Sequence, residues 1–281
     1  ITSAKCTEYH APGHPERPER ISRTVDHLKS LGGFEWVEAK SATGPDIELV
    51  HPPSHYDTIA SGDFFDADSP AYPRILDYAL LSAGAAIQAA NLALHDKRAF
   101  SLMRPPGHHC TRDRLMGFCY FNNIAIAIES ARATHKISKA AVFDFDCHHG
   151  NGTEEIYAGD AGTLFVSLHQ SPCYPGTGLK SRGNILNYPL PPRTHTADFL
   201  KTCGAALEEI RRFKPQLLGI SAGFDAYKDD PITQMSLEIE TFREIGKQIC
   251  TIEAPQFALL EGGYADDLPL CVAAFLEGWD L

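Results

Sequence analysis

Short apolar runs recur along the chain, and a loop of polar residues follows each of them. Five runs lack polar alternation: AFSLM at 99–103, AAVFDF at 140–145, TLFVSL at 163–168, QLLGIS at 216–221 and QFALL at 256–260. Continuous apolar runs of this length are typical of strands buried on both faces of a parallel sheet. The pattern therefore predicts a buried parallel sheet that contains these five strands.

Helical spacing of apolar residues appears between the predicted strands. One helix is predicted over residues 21–31 and should stop at Gly32, a residue suited to a left-handed C-cap. The asparagine pair 122–123 can cap a second helix, Ser236 precedes a third, and the alanine-rich segment 83–94 is typical of helix packing. Strands that alternate with helices predict right-handed crossovers in an α/β fold, either doubly wound or barrel-like.

Composition narrows the class of protein. The 281 residues carry 25 Lys and Arg against 36 Asp and Glu, a net charge of −11, and 43% of them are hydrophobic. These values argue against a disordered acidic tail and against a membrane protein. A surface of this charge disfavours nucleic-acid binding and allows a cationic partner. No linker or repeat is visible, so one domain over residues 1–281 is expected.

The apolar stretches and the cysteines of the sequence indicate the cellular compartment. The longest apolar stretch, Leu80 to Leu94, is interrupted by Gln88 and Asn91 and falls short of the roughly 20 residues of a membrane span. Eight cysteines contain no Cys-x-x-Cys pair, and the first 20 residues do not resemble a secretory signal. We expect reduced thiols, no transmembrane helix and a cytoplasmic location.

Residues able to do chemistry follow the predicted strands. The loops read, in order, RPPGHH, DCHHGNG, HQS, AGFD and EGGY. In open parallel sheets the ligand crevice lies beyond the carboxyl ends of the strands. We therefore expect these five segments to converge on one site.

A metal site is the first interpretation of the second loop. If the strand continues, alternation places Asp144, Asp146 and His148 on one side and Cys147 on the other. With Asp225 from the fourth loop, an Asp/His/Asp set with an open position could bind a catalytic metal and acidify a water. The alternative is a hydrogen-bonded network without an ion.

Two further loops add candidate catalytic groups. His108 and His109 follow the turn Pro105–Gly107, and Tyr264 follows a glycine pair. Adjacent histidines are more often structural than catalytic, and a tyrosine in such a place is ordinarily a core or surface aromatic. The case for chemistry rests on their expected convergence with the metal site.

The ordered set of motifs resembles the zinc-dependent histone deacetylase family. It runs from about residue 14 to 264 and comprises HPERPER, RPPGHH, GFCYFNN, DFDCHHGNGT, SLH, YPGTG, AGFDA and EGGY. GNG resembles the class II and bacterial deacetylase-like branch. The resemblance implies the arginase/deacetylase fold: one domain with a mainly parallel central sheet flanked by helices, and an active site in the loops at the strand carboxyl ends.

The resemblance also implies roles for individual residues. Zinc would be bound by Asp146, His148 and Asp225. The catalytic groups would be His108, His109 and Tyr264, with Asp144 behind the first histidine and Asn151 behind the second. Potassium beside the zinc would involve Asp144, Asp146, His148, Ser167 and Leu168.

Substrate contacts follow from the same resemblance. Gly117 and Phe118 in GFCYFNN, together with Tyr174, match the walls of a narrow acyl-lysine tunnel. Arg20 matches an arginine at its inner end, and Asp68 loosely matches an aspartate at its rim.

The activity implied is hydrolysis of acyl-lysine by a zinc-activated water. His109 would be the general base and later the acid, and the Tyr264 hydroxyl would meet the charge on the tetrahedral oxygen. The substrate would be an acyl-lysine protein or peptide, or a small acylated amine. A catalytically silent acyl-lysine binder is the alternative from another class. The sequence predicts no oligomeric state.

Two departures from the family pattern refine these expectations. Asn151 stands where one branch has aspartate, so the pKa of His109 should be raised less. Ile232 stands where polyamine deacetylases carry a glutamate, which favours acyl-lysine over acetylpolyamines. Because the ligand set is rich in oxygen and lacks thiolate, Fe²⁺ or cobalt could replace zinc.

Several other residues are given no catalytic role. His51 and His55 are separated by two prolines, which favours a loop or short turn over a second metal site. Cys147 is expected to pack. His149 and His169 are candidates only for supporting hydrogen bonds.

Overall fold

Six strands form one parallel sheet in the structure, a computed structural model that describes residues 1–281. Their order is β1-β6-β5-β2-β3-β4, and every neighbouring pair is parallel. The strands are β1 (Ala99–Ser101), β2 (Ala140–Asp144), β3 (Thr163–Gln170), β4 (Ile185–Leu190), β5 (Leu217–Ala222) and β6 (Gln256–Leu260).

The five predicted strands are all present, and the sequence missed β4. This strand lies at the edge of the sheet beside β3, and only Ile185 and Asn187 of its six residues are buried. It also contains Pro189, which lacks the N–H that a central strand would donate. An edge strand of this kind has no continuous apolar run to reveal it.

Nine α-helices accompany the sheet. Helix α4 contacts β1, β5 and β6, α5 contacts β5, and α6 and α7 contact β3. The helices are α1 (Glu19–Leu31), α2 (Gly44–Glu48), α3 (Pro53–Ser61), α4 (Ile75–Ala93), α5 (Asn123–His135), α6 (Asn151–Tyr157), α7 (Thr196–Phe213), α8 (Ile239–Cys250) and α9 (Leu268–Gly278).

Helix ends were predicted with mixed success. Asn122 caps α5 as expected, because its side-chain oxygen accepts the Ala125 N–H at 3.1 Å. Gly32 ends α1 with φ of 72° but ψ of −174°, so its conformation is not the left-handed helical one predicted. Ser236 does not cap α8. That helix begins at Ile239, where the Glu238 N–H donates to Thr241 Oγ1 at 3.1 Å.

Helix α4 is longer than the apolar stretch defined from the sequence. By length and composition alone its 19 residues could cross a membrane, and 61% of the apolar window is buried inside the protein. Burial of this kind is what a core helix shows, and the alanine-rich part packs against β1, β5 and β6 as expected.

The core surrounds both faces of the sheet. A continuous cluster of 75 buried residues includes Phe143, Phe165 and Phe257, each with no exposed surface. All eight cysteines are free. A sheet buried on both faces holds the carboxyl ends of its strands rigidly, and the loops that leave those ends carry the candidate site.

Candidate active site

The strand ends lie side by side. Asp144, the last residue of β2, is in register with Ser167 of β3 and with Ser221 of β5. The loops after β2, β5 and β6 therefore start at one level, and the loop after β1 joins them through contacts described below. The strand does not continue past Asp144, so alternation along a strand does not place Asp146 and His148. Their positions are set by the turn that follows.

The structure brings three buried side chains together: Asp146, His148 and Asp225. We call this group the metal triad. His148 Nδ1 lies 2.8 Å from Asp225 Oδ2 and 3.2 Å from Asp146 Oδ1. One candidate ligand atom from each residue lies within 4.8 Å of the others. Donor atoms around a tetrahedral zinc ion lie roughly 3.3 Å apart, so these spacings suit such an ion.

The carboxylates of the metal triad are oriented by backbone groups. Gly262 N–H donates to Asp146 Oδ2 at 2.7 Å, and Cys147 N–H donates to Asp225 Oδ1 at 2.8 Å. Asp225 Oδ2 is buried and has no hydrogen-bond partner, because its contact with His148 is not aligned as one. A Cβ on Gly262 would lie 2.4 Å from this oxygen. An orphaned carboxylate oxygen in a cradle closed by glycine fits a bound cation.

The pKa shifts in the metal triad also fit a bound cation. Burial disfavours charge on His148, yet the Asp225 and Asp146 carboxylates outweigh that and raise its pKa well above the usual value. Burial and the neighbouring Asp146 raise the pKa of Asp225. A positive charge between the two carboxylates would therefore stabilise them. Either a proton on His148 or a metal ion can supply that charge.

The tandem histidines lie beside the metal triad and have different partners. His108 Nδ1 is 3.0 Å from Asp144 Oδ2, His109 Nδ1 is 2.8 Å from Asn151 Oδ1, and the two rings lie 4.0 Å apart. Burial opposes charge on His108, but Asp146 and Asp144 raise its pKa to about 10. Burial and the neighbouring His108 hold the pKa of His109 well below its usual value.

Glu261 fixes the loop of His108, a role that was not predicted from the sequence. Its Oε2 accepts the N–H groups of Gly107 at 2.7 Å and His108 at 3.2 Å, and its Oε1 accepts the Ser221 hydroxyl. Burial raises the pKa of Glu261 to about 7. A lone acidic residue at the end of an apolar strand run, directly before Gly-Gly, is the signal that could have identified it.

Tyr264 enters the site after β6. Its backbone N–H donates to Asp230 Oδ2 at 2.8 Å, and the Arg20 guanidinium lies over its ring at 4.7 Å from the centroid. Arg20 Nε also donates to Gly263 O at 2.7 Å. Burial raises the pKa of the Tyr264 hydroxyl well above its usual value, so the phenol is a proton donor at neutral pH.

Aromatic rings form the walls around these groups. The Phe118 ring lies 5.8 Å from that of Tyr264, and the Tyr174 ring lies 5.1 Å from that of His109 and perpendicular to it. Gly117 and Phe118 both have positive φ, 57° and 69°. A Cβ on Gly117 would lie 2.6 Å from His109 Cδ2, so only glycine allows this approach.

The rim residues lie further out. Ile232 is 39% exposed and lines a cleft together with Tyr264 and His14. Asp68 is exposed, and its backbone oxygen faces His14 Nε2 at 3.2 Å. The adjacent Ser69 hydroxyl accepts the Phe118 N–H, which ties the Asp68 loop to Phe118.

The residues predicted to bind potassium include Asp146 and His148 of the metal triad, together with Asp144, Ser167 and Leu168. Ser167 and Leu168 are buried on β3, with Ser167 in register with Asp144. The Ser167 hydroxyl is 2.9 Å from His169 Nδ1. Asp144 on β2 and Ser167 and Leu168 on β3 are thus on adjacent strands, whereas Asp146 and His148 lie in the loop that follows β2.

His51, His55 and Cys110 form a second cluster close enough to hold a metal. The helix α3 begins between the histidines, and their rings stack 4.8 Å apart. His51 Nδ1 faces Arg112 O at 2.9 Å and its Nε2 accepts the Asn122 N–H, while His55 Nε2 faces Tyr120 O. Backbone groups occupy these nitrogens, so the cluster is a hydrogen-bonded part of the core.

The remaining residues near the site make supporting contacts. Cys147 Sγ lies 3.9 Å from Gln170 Oε1, on a different side from its backbone contact with Asp225. His149 bonds to Thr177 and Glu154, and His169 Nε2 is 3.0 Å from Gly178 O. These histidines anchor the loop that carries Tyr174.

Comparison with known proteins covers nearly the whole chain. Residues 14–278 match the family described as "Histone deacetylase domain". The chain is 36% identical to a "Probable deacetylase" of Archaeoglobus fulgidus, over 96% of this chain and 83% of that protein. It is 37% identical to a "Histone deacetylase-like amidohydrolase" of Pseudomonas aeruginosa, over 95% of this chain and 77% of that protein.

Solved structures share the fold. An acetylpolyamine aminohydrolase from Burkholderia pseudomallei superposes with a TM-score of 0.92 and 28% identity, over 99% of this chain and 97% of that one. The HDA15 HD domain gives a TM-score of 0.90 and 28% identity, over 98% of this chain and 86% of that one. The parallel sheet and the site at its strand ends are thus those of the arginase/deacetylase fold.

Proposed function

This chain belongs to the histone deacetylase family, and from that premise we propose that it is a zinc-dependent amidohydrolase that removes acyl groups from lysine side chains. The observation that carries the proposal is the metal triad, whose orphaned Asp225 Oδ2 lies in a buried cradle next to the tandem histidines and Tyr264. We assign Asp146, His148 and Asp225 as the ligands. When bound there, a zinc ion supplies Lewis-acid polarisation of a carbonyl group and lowers the pKa of a water molecule.

His109 is proposed as the general base. Its low pKa leaves the imidazole neutral at pH 7, and the Nδ1 proton is directed to Asn151 Oδ1. Nε2 is then free to take a proton from the attacking water and to return it to the leaving amine. The products are a carboxylate and a primary amine.

Tyr264 and His108 are proposed to stabilise charge in the site. Tyr264 keeps its hydroxyl proton and donates it as a hydrogen bond to the oxygen that becomes negative in the transition state. His108 is paired with Asp144, whose carboxylate favours the charged imidazole, and adds to the field of the site without moving the essential proton.

The aromatic side chains around the site favour a substrate with an extended, apolar stem. Phe118 and Tyr174 flank the entrance to the histidines, and Ile232 presents an apolar side chain at the rim, where a selective polyamine site would need an acid. Acyl-lysine peptides are therefore the preferred substrates. Gly117 and Asp68 are assigned to the same substrate-binding region.

Deacetylation of a polyamine or another small amine is the second candidate. It is favoured by the similarity to the Burkholderia pseudomallei acetylpolyamine aminohydrolase. A turnover panel of acetyl-lysine peptides and acetylpolyamines distinguishes the two. We expect a higher kcat/KM for the peptides, and a hundredfold preference for the polyamine would overturn the role given to Ile232.

Metal dependence is tested on the same panel. Thorough chelation should abolish turnover, and addition of zinc should restore it; Fe²⁺ is run in parallel because the oxygen-rich ligands also suit that ion. Activity that survives metal removal, verified by elemental analysis, would exclude the metal mechanism. A protein that binds acyl-lysine peptides without turning them over under any metal would be the silent binder instead.

Three further assignments accompany the activity. We propose that residues 1–281 form one catalytic domain, which the single sheet and continuous core support. A potassium ion is proposed beside the zinc, held by Asp144, Asp146, His148, Ser167 and Leu168. The eight free cysteines support a reducing, cytoplasmic compartment.

A further inference from the structure

Asp230 is a buried carboxylate that binds two backbone N–H groups of the site. It is 7% exposed and follows β5 in the loop that leads to α8. Its Oδ2 accepts the N–H of Tyr264 at 2.8 Å, and its Oδ1 accepts the N–H of Ile232 at 3.0 Å. The first residue is the proposed oxyanion donor and the second lies on the substrate rim.

The Asp230 carboxylate forms no ion pair, and His148 offsets its charge only in part. None of the ion pairs in the protein includes Asp230, and the acid near it is Asp225, which repels it. Burial raises the pKa of Asp230 to about 7, which shows that charge is costly here. Because a buried carboxylate that forms no ion pair is costly, the favourable contacts of Asp230 are its hydrogen bonds to these two N–H groups.

The Tyr264 loop needs such an anchor. Two glycines precede the tyrosine, and Gly263 has φ of 118°, a backbone conformation that only glycine adopts readily. Arg20 holds the loop through Gly263 O and stacks on the Tyr264 ring. The bond from Tyr264 N–H to Asp230 fixes the loop from another side.

We propose that Asp230 is a positioning residue for the deacylation proposed above: it holds Tyr264 in hydrogen-bonding reach of the reacting acyl group and sets Ile232 at the rim. One carboxylate thereby couples the catalytic tyrosine to the residue that faces the substrate carrier. The inference rests on the proposed function, because it requires Tyr264 to act in turnover.

Asp230→Asn tests the role with a small change of shape. An amide has one acceptor oxygen, so its NH₂ group must face either the Tyr264 or the Ile232 N–H. Misplacement of the tyrosine should lower kcat roughly tenfold with little change in KM, since positioning acts on the reacting geometry. The matched control is Asp229→Asn, an exposed neighbour with the same change of charge, which should retain wild-type kcat.

A double-mutant cycle with Tyr264→Phe separates positioning from general damage. If Asp230 acts through the Tyr264 hydroxyl, Asp230→Asn should change kcat less than twofold, roughly, once that hydroxyl is absent. Wild-type kcat in Asp230→Asn, or the same loss of kcat in both backgrounds, would overturn the positioning role.

Two provisions keep the test decisive. If Asp230→Asn does not fold, Asp230→Glu takes its place in the cycle, because it keeps both oxygens on a longer stem and should show the same non-additivity. Failure of the proposed function has a different signature: wild-type protein without metal-dependent turnover on any substrate of the panel, or full turnover by Tyr264→Phe. Either result removes the premise and with it the role of Asp230.

Discussion

His108 and His109 are adjacent in the chain, but their surroundings shift their pKa values in opposite directions. The pKa of His108 is raised to about 10 by Asp146 and Asp144 in spite of its burial, whereas burial and the charge of His108 lower that of His109. Their Nδ1 partners differ as well, since one is the Asp144 carboxylate and the other the amide of Asn151. The same type of side chain thus has a raised pKa at one position and a lowered pKa at the next.

Replacement of Asn151 by aspartate should move the pH profile. The new carboxylate favours the charged imidazole, so the pKa of His109 rises. Since protonated His109 cannot accept a proton, the acid limb of kcat/KM should shift to higher pH. Asn91→Asp is the control, because Asn91 Oδ1 also meets a histidine nitrogen, His135 Nε2 at 3.1 Å, on the surface. An unmoved acid limb in Asn151→Asp would exclude His109 as the base.

The hydroxyl of Tyr264 can be removed without touching its ring. Tyr264→Phe keeps the contacts with Phe118 and Arg20 but deletes the oxyanion donor, so kcat should fall roughly a hundred- to a thousandfold. Zinc content should stay that of the wild type. Tyr188→Phe, on the edge strand β4, is the control and should retain full turnover. Full turnover in Tyr264→Phe would remove the tyrosine from the mechanism.

At the scale of loops and helices, glycines mark where elements approach closely. Gly117 and Gly183 have nearly the same φ, 57° and 56°, yet an added Cβ would meet His109 at 2.6 Å in the first case and nothing within 4 Å in the second. Both positions thus have a strained backbone, but only a Cβ at position 117 would collide with the His109 ring.

The comparison of Gly117 with Gly183 gives a testable prediction. Gly117→Ala should lower kcat by roughly tenfold or more, because a shift of His109 by a fraction of an ångström spoils proton transfer. Gly183→Ala should cost only about 1 kcal/mol of stability, from the left-handed backbone, and leave turnover unchanged. Equal kcat values in the two variants would show that the approach of Gly117 to His109 is unimportant.

A second glycine pair reports on helix packing. In α8, a Cβ on Gly246 would lie 2.4 Å from Phe275 O of α9, whereas a Cβ on Gly204 of α7 would meet only Gln248 Oε1 at 3.6 Å. Gly246→Ala should lower the free energy of unfolding by about 1–3 kcal/mol through overpacking. Gly204→Ala should raise it by roughly 0.5–1 kcal/mol through helix propensity. Chemical denaturation measures both, and stabilisation by Gly246→Ala would contradict this view of the α8–α9 contact.

At the scale of the whole molecule, the metal triad joins two loops that are distant in sequence. Asp146 and His148 follow β2, and Asp225 follows β5, the neighbouring strand in the sheet. A cation bound by all three would connect these loops and neutralise the buried acids. Metal affinity should therefore appear as stability of the folded chain.

We expect one zinc ion per chain and a higher Tm in the zinc-loaded protein than in the metal-free protein. Asp225→Asn should lose both the metal and the increase in Tm, while Asp229→Asn should keep them. The His51 cluster should bind none, because backbone groups occupy its nitrogens. Elemental analysis that finds two zinc ions per wild-type chain would contradict this assignment of the cluster.

The strands show which elements of the fold can be predicted from local sequence patterns. The five buried runs were predicted because strands covered on both faces have continuous apolar sequences. Strand β4 was missed because an edge strand, half exposed and containing Pro189, has no such run. Similarly, Asn122 caps α5 through a bond three residues away, whereas the start of α8 depends on a backbone turn that Ser236 alone does not reveal.

The sequence by itself determined the parallel α/β sheet and the chemical groups that follow its strands, since both depend on residue type and short-range order. Only the tertiary structure decided the 2.8 Å contact of Asp225 with His148 and the opposite pKa shifts of the tandem histidines. It also decided that Asp230 and Glu261 hold the loops of Tyr264 and His108. The physical reason is distance along the chain: Glu261 accepts an N–H from Gly107, 154 residues away. Burial and charge at such contacts depend on how the whole sheet brings its loops together.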